Sequence, residues 1–286
     1  MTGQSARTGH RRRALLIAAL LTGATLVALM VGLPANAVMR WMLESSIGRV
    51  TVVEDEAGGR RTVYWREYPG VAGVDSRDVL DGPSAEEAYA ASEAMTARMR
   101  AAITAEFGLE WAPPASAEQP FDPFHERTQN WYGGESMLTT VNGPTSQTIG
   151  VPTDWSDKER MLEIIARIAA DYGFSAPTLD ADSWDWTEED RIRDLGGATP
   201  EEQVIVAGSM MGPTGQWMFF TFQDLSKDVD GRFERDLAPS TEHGWQLNTF
   251  SFGFGANALL PEGDEAEFER RLAPFEGLEP PEPVET

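Results

Sequence analysis

The longest apolar run is Ala14 to Leu33, twenty residues without a charge. As a helix at about 1.5 Å per residue it would span roughly 30 Å, the hydrocarbon core of a bilayer, so it is expected to be a transmembrane helix. After it the pattern becomes mixed. Arg49–Asp55 and Arg61–Glu67 are short β-branched and aromatic runs separated by Glu56-Ala57-Gly58-Gly59-Arg60, a hairpin pattern. Residues 68–82 are rich in Gly and Asp and read as a connection. From Ser84 the period changes to that of a helix. Ala88, Tyr89, Met95, Met99, Ile103 and Phe107 share one face, Ser84 and Glu87 have capping-box spacing, and Gly108 supplies a stop. Residues 111–130 carry four prolines and read as a long irregular loop.

Strand patterns follow at 135–141 and 147–151. Asn142-Gly143-Pro144-Thr145-Ser146 between them predicts a second hairpin. A second helix is expected from Ser156 to Gly173, with Ser156 and Glu159 as its capping box and Met161, Leu162, Ile165, Ile168, Ala169 and Tyr172 on its buried face. Its solvent side is expected to carry Asp157, Lys158, Glu163 and Arg167. Gln203–Ser209 and Gln216–Phe222 flank Gly212-Pro213-Thr214-Gly215 and predict central, well-covered strands in a third hairpin. Residues 244–254 read as another strand, whose apolar parity changes and calls for a bulge near Asn248. A short helix is expected over 264–272.

Hairpins without regular strand-helix-strand alternation give an α+β class, amphipathic helices on a mainly antiparallel sheet. The domain plan is a basic segment 1–13, a transmembrane helix 14–33, a juxtamembrane segment 34–82, a main domain 83–272, and an acidic Pro-rich tail 273–286 expected to be disordered. Arg7, Arg11, Arg12 and Arg13 precede the apolar run and no acid stands before Glu44, which keeps the N-terminus in the cytoplasm and sends the main domain across the membrane. Cleavage near Ala37, at Ala35-Asn36-Ala37, is the alternative and would release a secreted domain.

Charge narrows the partners. The chain of 286 residues has a net charge of −23; four of its 23 basic residues lie in the first thirteen positions, so the remaining 19 face 46 acids, a balance of −27. Such a surface repels nucleic acid, and what it favours is solubility, cations or a basic protein partner. There is no cysteine, which removes thiol nucleophiles, thiolate zinc sites and lipid attachment through sulfur.

The search for reactive motifs ends mostly in exclusions. His125 and His243 are the histidines beyond the apolar run and do not form a paired zinc motif. There is no phosphate loop, no GxSxG elbow and no SxxK pair. The acidic stretch 180–194 suggests calcium, but a loop begun at Asp180 puts Arg191 where the bidentate carboxylate belongs, and one begun near Asp228 fails at its end. No catalytic, cofactor or metal residue is therefore assigned, and no cofactor is expected.

AEEAYAASEAMTARMRAAI before LEW, the later GVPTDWSDKERMLEIIARIAADYGF and the last strands, together Ser84 to Phe254, resemble the LppA-like group of small actinobacterial cell-envelope proteins. The resemblance implies an envelope location and an α+β fold, and transfers no catalytic residue. That group is typically held by a lipidated cysteine; here a helical anchor would take its place. The expected function is a membrane-anchored, non-catalytic interaction or accessory module outside the membrane. Two alternatives stand beside it: a ligand or cation binder using the surfaces around Asp182 and Asp228 and the strand end Phe250–Phe254, and an exported hydrolase with a carboxylate pair, for which Glu188 and Glu189 come first.

Overall fold

A computed structural model of the chain describes residues 49–54, 58–113, 122–183 and 185–284. The expected basic segment, transmembrane helix and cleavage site lie outside them. Among the described residues no helix is long and apolar enough to cross a membrane.

The fold is α+β with a mainly antiparallel sheet. β1 (Val50–Glu54) and β2 (Arg60–Tyr64) form the expected first hairpin, in a two-stranded sheet of their own. The chain then makes a 3-10 turn at Trp65–Glu67 and a short helix, α1 (Ser76–Asp81). The long helix α2 (Ala85–Phe107) begins where its pattern says. Ser84 Oγ accepts from the Glu87 amide at 3.1 Å, Glu87 returns the bond to Ser84 N at 3.0 Å, and Gly108 ends the helix in the left-handed region at φ 67°.

The second sheet is built around one strand. β3 (Glu110–Trp111), β4 (Phe124–Gln129), β5 (Glu135–Asn142), β6 (Ser146–Ile149), β7 (Thr178–Leu179), β8 (Ile205–Met211) and β9 (Gln216–Gln223) gather about β10 (Thr249–Leu259) in the order β3-β6-β10-β9-β8-β7, with β5 also on β10 and β4 beyond β5. The β8–β9 hairpin forms as expected, from Ile205↔Gln223 to Met211↔Trp217. The hairpin expected of β5 and β6 does not. Both pair antiparallel with β10, β5 along Gly255–Leu259 and β6 along Ser251–Phe252, so they run end to end in one direction. Asn142–Ser146 is a kink between collinear segments, and the Gly143 amide still donates to Phe254 O at 2.8 Å. An eleven-residue strand has more edge to satisfy than either short partner supplies alone. The bulge sits at Ala256–Leu259, where Ala258 has φ 60°, and Asn248 precedes the strand.

α2 and α3 (Trp155–Ala170) cover one face of the sheet. Met95, Met99, Ile103, Met161 and Ile165 meet Met218, Phe220, Phe222, Phe250, Phe252 and Phe254 in the main core. The capping box expected at Ser156 is not made: α3 starts at Trp155, with Asp154 as N-cap. The other helices are α4 (Asp180–Ser183), α5 (Glu188–Leu195), α6 (Arg232–Leu237) and α7 (Glu265–Leu272).

Two smaller clusters join residues 63–80 to the C-terminal part of the described chain. Val71 and Val79 pack with Met137, Leu138 and Phe268, and Trp65 and Tyr68 pack with Tyr132 and Phe275. The segment 60–82, expected as juxtamembrane, thus shares its core with residues of the main domain. The disordered tail is corrected as far as Val284: Phe275 is buried, and the Val284 amide donates to Trp131 O at 2.8 Å. One buried phenyl ring outweighs the proline and glutamate composition around it.

Candidate functional site

The candidates read from the sequence are dispersed. His125 is exposed on β4, with Nε2 2.9 Å from the Asn142 side-chain amide, and His243 is exposed at the end of a 3-10 turn. Glu188 and Glu189 stand exposed in the first turn of α5, where negative charge offsets the helix dipole. Asp182 is exposed in α4. Asp228 accepts from the Glu234 amide at 2.8 Å; desolvation raises its pKa, but the amides of Glu234, Phe233 and Arg232 outweigh that and hold it below the usual carboxylate range. Among the described residues no group of three His, Asp or Glu is placed to hold a metal ion. Phe250, Phe252 and Phe254, offered as a ligand surface, are instead in the core, 0%, 0% and 2% exposed.

A polar feature that sequence reasoning missed is Lys158. Its polar neighbours in the sequence place it on the solvent side of α3, yet its Nζ lies 2.6 Å from Asp224 Oδ2 with both side chains 1% exposed. Asp224 Oδ1 accepts from Ser226 N at 3.1 Å and Ser226 Oγ at 2.6 Å, so the pair is satisfied and fastens α3 to the end of β9. A buried, partnered pair of this kind is structural.

The built concavity lies elsewhere, at the end of the molecule that carries the first hairpin. Asn130 organises it. Its Nδ2 is within hydrogen-bond distance of three carbonyls, Trp65 O at 3.2 Å, Arg66 O at 3.1 Å and Tyr68 O at 3.0 Å, while its Oδ1 accepts from Tyr132 N and Gly134 N. Residue 134 must be glycine, because a β-carbon there would collide with Arg66 O. This clamp holds Trp131, 44% exposed, at φ 64°, a conformation that an aromatic residue adopts only under surrounding constraint.

Between β2, the 129–135 turn and the end of α7 runs a groove of 1230 Å³. Val63 and Phe275 are buried beneath it, and Arg61, Arg66, Arg270 and Arg271 line it with Glu67 and Glu135. Arg270 and Arg271 share one carboxylate, Glu267, at 2.6 and 2.7 Å, which holds the Glu267 pKa down at about 2. Four guanidinium groups in one groove are the reverse of the chain's overall −23. Arg61 of β2 and Arg270-Arg271 of α7 face one groove although they stand far apart in the chain, so spacing along the sequence does not reveal it. The groove can bind an anionic group by charge-assisted bonds. In comparisons with known proteins, no family model, no curated protein and no solved structure matches the chain.

Proposed function

We propose that this chain is a membrane-anchored extracytoplasmic protein of the bacterial cell envelope that acts as a non-catalytic interaction module, receiving an anionic partner in its arginine-edged groove. The observation that carries the reading is the groove itself: four arginines, of which Arg66 stands on the turn that Asn130 holds, gathered in a chain that is otherwise strongly acidic. The uncharged run 14–33 behind its arginine cluster supports a single-pass anchor with the N-terminus in the cytoplasm. The resemblance of Ser84–Phe254 to the LppA-like group belongs to the same proposal. A cation site around Asp182 and Asp228 gains no support, since Asp228 is engaged in capping α6.

The test is titration of the full-length chain, in detergent, with a fluorescent hexaglutamate peptide. Saturable binding that weakens with added salt and drops about tenfold or more in R270E/R271E supports the groove. Binding indifferent to both removes it. Protease treatment of intact cells carrying a tag at each end reads the topology, and the proposal expects loss of the C-terminal tag alone.

A further inference from the structure

The face of the second sheet opposite α2 and α3 carries a feature the groove does not use. β6, β8, β9 and β10 contain no charged residue, in a chain of which 24% of residues are charged. Cross-strand partners share a face, so the register sets Trp217 against Gly255, Phe219 against Gly253 and Thr221 against Ser251 on the side away from the helices. The two aromatic rings lie across β10 on the glycines. A β-carbon on Gly253 would meet the Phe219 ring at 2.6 Å, and one on Gly255 would collide with the Trp217 ring. The rings adjoin, with centroids 6.4 Å apart and planes 37° from parallel, and neither belongs to any of the hydrophobic clusters. Each is half-buried, its inner face on the strand. Met211, 56% exposed, extends the shelf on β8, and the hydroxyls of Ser209 and Thr221 stand beside the rings.

Glycine within a strand weakens it and marks a close approach, here that of the two rings lying flat. The result is an aromatic shelf edged by neutral hydroxyls. A charged ligand finds no counter-charge on it, and a second copy of the chain would bring another −23 against it. A sugar ring matches it: one apolar C–H face to stack on the indole and phenyl, hydroxyls at the margin to meet serine and threonine, and no charge. We propose that Trp217 and Phe219 form a stacking site for a neutral glycan chain, separate from the groove and independent of its reading.

The experiment uses the full-length chain in detergent, titrated calorimetrically with three uncharged oligosaccharides: the β-linked tetramer of N-acetylglucosamine, cellohexaose and maltohexaose. The expected result is saturable binding of at least one, weakened about tenfold or more in W217A and in F219A, retained in W217Y and unchanged in R270E/R271E. Circular dichroism and melting of W217A establish that it folds. Three results would overturn the inference: no binding of any of the three by the wild type, binding that W217A and F219A leave intact, or sedimentation showing a dimer that W217A dissociates, which would make the shelf a contact between copies. Loss of hexaglutamate binding in R270E/R271E with glycan binding intact would separate the two sites.

Discussion

The two faces of the second sheet come from the same strands and teach opposite lessons. On β9, Met218, Phe220 and Phe222 go under the helices and are 0% exposed, while Trp217 and Phe219 between them stay half-open on the other side. The inner face is a jigsaw closed by α2 and α3, where aromatic mass stabilises the fold. The outer face holds aromatic mass of the same kind on glycines, outside every hydrophobic cluster. Apolar content along a strand therefore says that a face is apolar, not that it is covered. The arginine groove differs from both, being assembled from β2 of the small sheet, a turn and a helix end.

This comparison can be broken by mutation. The largest effect is expected at Phe252, fully buried between Phe250 and Trp111. F252A should cost about 3–5 kcal/mol, read as a melting temperature lower by about 6–20 °C. A similar loss is expected from K158M, which strands the Asp224 carboxylate at 1% exposure. The double variant K158M/D224L should regain most of it, and chemical denaturation of the pair shows whether charge or packing matters there.

Next comes N130A, which removes the clamp on three carbonyls and should cost about 1–3 kcal/mol while loosening the groove, seen as faster amide exchange at Tyr132 and Gly134. On the outer face, F219A should cost only about 1 kcal/mol. If it destabilises as much as F252A, the outer face is core and the contrast collapses. The smallest effect is titration of Glu267, whose pKa falls from 4.5 to about 2 through its hydrogen bonds to Arg270 and Arg271. A lowered folded pKa means that its contribution is present above 4.5 and lost as pH falls towards 2. Carboxyl chemical shifts should show that midpoint, and R270A/R271A should return it towards 4.5.

Local signals in the sequence were legible where they are complete within a few residues. Ser84 with Glu87 marked the start of α2 and Gly108 its end, and Gly212–Gly215 marked the β8–β9 turn. They misled where a remote partner intervened. Asn142-Gly143 reads as a turn, but β10 offers a continuous edge that keeps β5 and β6 in line. Lys158 stands between polar neighbours, yet Asp224 draws it inside from 66 residues away. Phe275 stands in a tail of acids and prolines, and the Trp65–Tyr132 pocket takes it. Neither the groove nor the shelf could be read, because each depends on residues brought together by sheet register and helix docking.

By itself the sequence determined the α+β class, both long helices and the absence of cysteine and nucleophile motifs, because periodicity, caps and composition act over a few turns of chain. Tertiary structure alone decided which apolar faces are covered, which charge is buried, and where four arginines meet in an acidic chain. Burial and electrostatic interaction depend on distance in space, and spacing along the chain does not set that distance.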